Sequence, residues 1–135
     1  MSQAKQQLGK WGENLAARFL EQRGYSILAR NVRTPYGEID LVANFPVESA
    51  LEMDLATPAN PVTVFVEVKT RSTRTYGFPE VSVTPRKQAH MLAAAQHFLQ
   101  EHADLDSDWR IDVIAIQKLS AELEPRIVHF ENVIT

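Results

Sequence analysis

The chain has 135 residues, 44% of them hydrophobic, with a formal net charge of -3 and no cysteine. That length supports one ordinary hydrophobic core and predicts a single compact domain across residues 1–135, while the missing thiols exclude disulfides and thiolate zinc sites and fit a reducing, cytoplasmic setting. A pI near 5.8 argues against a protein that coats nucleic acid nonspecifically, and a polar N-terminus with no apolar run of spanning length predicts no secretion and no membrane partner.

Residues 3–23 read as a helix, with Leu8, Trp11, Leu15 and Phe19 spaced at three and four on one face and Gly24 ending it. A strand over 25–30 and a turn over 31–36 follow, the turn marked by Pro35 and Gly37. Residues 37–43 and 65–71 are strands with charges at alternate positions. Between them, residues 44–61 carry Pro46, Pro58 and Pro61 with Glu48, Glu52 and Asp54, predicting an irregular insertion with one helical turn around 49–55. Residues 72–83, rich in hydroxyls, read as an exposed loop. Thr84 as N-cap and Pro85 at the first helical position open a second helix that runs to about His102, with Met91, Leu92, Ala95, Phe98 and Leu99 as its buried stripe. Residues 109–117 and 126–133 complete the strands. Helix, three strands, helix, two strands predicts an α/β mixed β-sheet of about five strands flanked by helices; the five scattered glycines form no nucleotide-binding loop.

In the second charged strand Val62, Val64, Val66 and Val68 line one face and Thr63, Phe65, Glu67, Lys69 and Arg71 the other. In the first, strict alternation sets Ile39, Leu41 and Ala43 against Glu38, Asp40 and Val42. If the strands pair, Asp40, Glu67 and Lys69 converge. Magnesium takes hard oxygen ligands, usually one or two carboxylates with waters and a phosphate oxygen, so Asp40 and Glu67 are candidate ligands. Lys69 could orient a water or stabilise developing charge, a combination suited to phosphodiester hydrolysis. Taken singly, each of these residues reads as a solvated ion on a sheet surface; the combination with an all-valine opposite face points to a site.

Gly9-Lys10-Trp11-Gly12-Glu13 with Ala16, Gly24-Tyr25, Arg30-Asn31, Gly37-Glu38-Ile39-Asp40-Leu41-Val42, Phe65-Val66-Glu67-Val68-Lys69-Thr70-Arg71, Gly77 with Pro79, Lys87 and Arg110-Ile111-Asp112-Val113-Ile114 extend over nearly the whole chain. In these residues the chain resembles the YraN-like proteins, which are similar to archaeal Holliday junction resolvases and belong to the PD-(D/E)XK restriction-endonuclease-like superfamily. The resemblance implies a restriction-endonuclease-like fold and a magnesium-dependent nuclease, with manganese as an alternative metal. It implies Asp40 and Glu67 as metal ligands and Lys69 as the catalytic lysine, and the family's first-helix glutamate maps onto Glu13. A homodimer is the assembly common among resolvase-like relatives. The connection 44–61 is longer and more acidic than the family pattern.

Glu13 lies off the Leu8-Trp11-Leu15-Phe19 stripe and on that ground should be solvated, yet its small neighbours Gly9, Gly12, Ala16 and Ala17 would let a sheet approach, making it an outer member of the site. Glu38 ranks as structural or supporting. Arg71, Arg74, Arg86 and Lys87 are candidate phosphate contacts for a nucleic-acid partner, most simply DNA. Asp112 is a strand carboxylate without an assigned role. His90, His97, His102 and His129 do not cluster with the candidate carboxylates, and His90 with His97 lacks a third zinc ligand. The leading expectation is a nuclease acting on structured or branched DNA; its rivals are a nonenzymatic DNA-processing adaptor of the same fold and a plain interaction domain.

Overall fold

The computed structural model describes residues 3–45, 61–72, 84–105, 108–120 and 123–134. In chain order these form α1 (Gln3–Gln22), β1 (Ser26–Thr34), β2 (Gly37–Phe45), β3 (Val62–Arg71), α2 (Pro85–Glu101), β4 (Trp109–Gln117) and β5 (Arg126–Phe130). The strands lie side by side in the order β1-β2-β3-β4-β5. β3 and β4 are parallel and the other pairs antiparallel, because β3 reaches β4 through the α2 crossover that a parallel pair requires. The result is the expected α/β arrangement, a restriction-endonuclease-like mixed sheet flanked by helices.

Each helix covers one face. α1 sets Ala16, Ala17 and Leu20 against Leu41, Val64, Val66 and Ile114; α2 sets Ala94, Ala95 and Phe98 against Val42, Phe65 and Ile111. Covered on both sides, β4 is buried without a break from Ile111 to Gln117, the expected state of a strand packed between two layers. Thr84 caps α2 as its sequence predicts, its Oγ1 accepting from the Lys87 N–H at 3.2 Å.

Four local features differ from the pattern reading. α1 does not bury its stripe of large residues: Gly12, Ala16, Ala17 and Leu20 are buried, while Trp11, Leu15 and Phe19 pack around their margin. Small side chains let the helix axis approach the sheet, and the larger residues then wedge at the sides. β1 continues through the segment expected to turn, and the hairpin closes between Thr34 and Gly37. Asn31 sits inside β1 with φ +52, a left-handed value that asparagine tolerates better than most residues. Finally, β5 stops at Phe130 rather than continuing to 133, because the Asn132 N–H donates to Asp112 Oδ1 (2.9 Å) and the Val133 N–H to the Ile111 carbonyl (2.8 Å). The predicted insertion begins no earlier than residue 46, since Asn44 and Phe45 belong to β2; its helical turn over 49–55 and most of the 72–83 loop lie outside the described residues.

Candidate functional site

Strict alternation fails at one level of the β1–β2 hairpin. Ala29 and Val32, three residues apart, both pack toward α2, and so do Ile39 and Val42. Arg30 pairs with Leu41 and Val32 with Ile39, so the left-handed Asn31 lies opposite Asp40. Asp40 therefore does not share a regular face with Val42, as period-two reading predicts.

The same level is where β2 and β3 part. Their pairing runs from Phe45–Val62 to Leu41–Val66 and stops. The next amide on β3 able to face β2, the Val68 N–H, donates to Asp40 Oδ2 at 2.8 Å instead. A side-chain carboxylate thus replaces a ladder carbonyl and satisfies a donor that the diverging strand leaves behind. Asp40 lines the clefts on both sides of this gap: one with Gly9, Glu13, Thr70 and Arg71, the other with Glu67, Lys87 and Met91.

On the α1 side, carboxylate oxygens of Glu13, Glu38 and Asp40 all lie within 4.8 Å of one another. The small face of α1 brings Glu13 there, since Gly12 and Ala16 are pressed on the sheet. Oriented with its nitrogen toward these acceptors, the Asn31 amide donates to Glu38 Oε1 and Glu13 Oε1, each at 2.9 Å. Glu38 is thus a full member of the cluster. Burial raises the Glu13 pKa and Glu38 adds to the rise, with Asn31 opposing. Burial also pushes Asp40 up to about 7; the Val68 N–H opposes that shift, and Glu13, Glu67 and Glu38 reinforce it.

On the α2 side, Val66 and Val68 pack toward α1, so Glu67 and Lys69 project to the opposite face, as their alternation predicts. Glu67 stands outside the three-carboxylate cluster. Its Oε1 pairs with Lys87 Nζ, while Oε2 is buried with no hydrogen-bond partner among the described residues. Burial lowers the Lys69 pKa, Lys87 pushes the same way, and Glu67 opposes. Of the expected phosphate contacts, Arg71 is exposed at the α1-side cleft, Arg86 and Lys87 edge the α2-side cleft, and Arg74 lies outside the described residues.

A second polar cluster escaped pattern reading. Asp112 is fully buried and accepts from Arg110 Nε (3.0 Å), His129 Nε2 (2.7 Å) and the Asn132 N–H. Arg110 also donates to the Tyr25 hydroxyl at 2.7 Å. Tyr25 and Arg110 lie 85 positions apart, so no local signal joins them. His129 is therefore a partly buried member of this network. His97 instead pairs with Glu101, and His102 stacks on Phe98.

A mixed five-stranded sheet with carboxylates gathered where two central strands diverge defines a protein of the restriction-endonuclease-like α/β class. The chain belongs to the family described as "Uncharacterised protein family UPF0102", which matches residues 12–116, the YraN-like group its motifs resemble. It is 43% identical to a UPF0102 protein of Roseiflexus castenholzii over 98% of this chain and 94% of that one. It is likewise 43% identical to one from Geobacter sulfurreducens (93% and 86%) and 36% identical to one from Dehalococcoides mccartyi (98% and 96%). Among the described residues no helix is long and apolar enough to cross a membrane.

Proposed function

We propose that the chain is a magnesium-dependent nuclease, able to use manganese, that hydrolyses phosphodiester bonds in structured or branched DNA. The observation that carries this reading is Asp40, a carboxylate in the β2–β3 gap held high by burial and by three neighbouring acids. A divalent cation fits this donor set. The donors are hard oxygens, their mutual repulsion is what a dication relieves, and Glu67 Oε2 is a buried acceptor with no donor among the described residues. Asp40, with Glu13 and Glu38 on one side of the gap and Glu67 on the other, would hold the ion, which supplies charge neutralisation at a phosphoryl oxygen and acidifies water.

The chain's own residues do the rest. Lys69, two residues from Glu67 on one strand face, orients the attacking water and opposes the charge that grows on the phosphoryl group. Lys87 balances Glu67 and, with Arg86 and Arg71, offers cations to the DNA backbone. α2 carries no acid in its first turn, so the positive end of its dipole adds to those cations. A net charge of -3 disfavours tight binding to long duplexes and suits recognition by shape. A homodimer would set two such sites for paired cuts, a state that light scattering reads directly.

The test is incubation of the purified protein with four-way, flap and linear DNA in magnesium. Cleavage abolished by Asp40→Asn, Glu67→Ala and Lys69→Ala is the expected result. No magnesium-dependent cleavage, or cleavage indifferent to these changes, refutes it, and binding without cleavage identifies a nonenzymatic adaptor.

A further inference from the structure

The α2-side cleft contains more than carboxylates. It is a cavity of about 380 Å³, a size within the range of sites that take small organic groups. Its floor is apolar, formed by Ile39, Phe65, Met91, Ala94 and Ile111, and Asp40 and Glu67 stand in its wall. Arg86 and Lys87 lie along its α2 edge. Tyr36, 51% exposed, stands at the mouth with its ring edge-on to His97, centroids 6.1 Å apart.

An apolar floor needs an occupant with an apolar face. Lys87 on the α2 edge is already paired with Glu67, but Arg86 is exposed there and calls for an occupant carrying negative charge. One nucleotide meets both demands, since its base presents a π-face and its phosphate an anion. We infer that this cavity receives a single unstacked nucleobase from the strand whose phosphate lies at Asp40 and Glu67. The inference rests on the nuclease reading for the position of that phosphate, and it narrows the substrate to DNA already carrying an unpaired nucleotide at the reacting step. A base inside a duplex cannot enter a cavity beside its own phosphate without leaving the stack, and leaving costs least where pairing is already lost. The floor residues offer no side-chain hydrogen-bond donors or acceptors for base edges. Contact with that floor is blind to base identity, as in sequence-tolerant single-strand sites, and Tyr36, Glu38, Thr84 and His90 are further polar groups elsewhere in the lining.

The experiment measures affinity by fluorescence anisotropy, without requiring turnover, on flap DNA in which one abasic residue is walked through each position around the junction. Stacking of ordinary strength predicts a loss of about 5- to 150-fold at one position and little elsewhere. Tyr36→Ala, at an exposed residue outside the proposed catalytic set, should weaken binding of the base-bearing flap while leaving the abasic one unchanged. Equal affinity at every abasic position overturns the cavity proposal, even if magnesium-dependent cleavage is found. Position-dependent loss without cleavage keeps the cavity and overturns the nuclease. No affinity for DNA overturns both, and binding of an apolar peptide or a second copy of the chain that blocks this cleft assigns it to that occupant instead.

Discussion

Replacing Gly12 with alanine should destabilise the fold even though alanine is the better helix former. A Cβ at Gly12 would sit 2.0 Å from Thr70 Oγ1 and 3.0 Å from Thr70 Cβ and Cγ2, where carbon contacts need about 3.5 Å. Rotating Thr70 can move Oγ1 and Cγ2 but leaves its Cβ at 3.0 Å, so α1 must lift from β3. The helix gains about 1 kcal/mol from propensity, against an overpacking cost of about 1–3 kcal/mol, leaving a net loss of up to about 2 kcal/mol. Gly9 is the internal control, because a Cβ there meets nothing within 4 Å; Gly9→Ala should stabilise by up to about 1 kcal/mol. Urea unfolding followed by tryptophan fluorescence suits the comparison, since Trp11 lies beside Gly12. Gly12→Ala with Thr70→Ala should recover part of the loss, giving a favourable coupling in a double-mutant cycle. If Gly12→Ala is as stable as Gly9→Ala, α1 is not pressed on β3 at this point, and the account of how Glu13 reaches Asp40 fails.

Three further outcomes follow from the site and its surroundings. Without metal, Asp40 is raised to about 7, so its protonated form favours folding. Stability should fall as pH rises from about 4 toward 7, by at most roughly 4 kcal/mol, and Asp40→Asn should flatten that slope in EDTA; an unaltered slope contradicts the assignment. Burial pushes Asp112 up, but hydrogen bonds from His129, Arg110 and the Asn132 N–H outweigh it and hold the carboxyl low. Its stabilisation is present above the unfolded value near 3.9 and is lost as acid is taken through the lower folded value. Asp112→Ala strands the Arg110 charge and should cost about 3–5 kcal/mol at neutral pH, whereas a cost under about 1 kcal/mol would show the network to be dispensable. Asn31→Ala should be about 1 kcal/mol less stable than Asn31→Gly, because only glycine accepts φ +52 freely; equal stabilities would mean that the left-handed backbone is not enforced.

The elements whose signals are local were legible in the residues. The Thr84-Pro85 start of α2, the β4 span and the alternation of β3 all follow from interactions within a few positions. Glu67 and Lys69 share the face that period two assigns them. What was missed involves partners distant in the chain. The Leu8-Trp11-Leu15-Phe19 stripe obeys helical periodicity, yet the buried face of α1 is the small one, because closest approach to a sheet is limited by side-chain size. Asn31 read as the start of a turn because Pro35 and Gly37 follow it, while asparagine also accepts left-handed backbone more readily than most residues. Inside β1 the same left-handed preference breaks the alternation opposite Asp40 and brings its amide to Glu13 and Glu38.

By itself, then, the sequence determined the α/β order, the caps and the identity of the carboxylates and lysine, since residue type and short-range spacing are properties of the chain. Only the tertiary structure decided that Asp40 stands in the gap between β2 and β3 with Glu13 and Glu38 on one side and Glu67 on the other. It alone also joined Asp112 to Arg110, Tyr25 and His129. Both arrangements depend on where strands part and on which face of a helix is small enough to dock, and these are settled by packing among segments far apart in the chain.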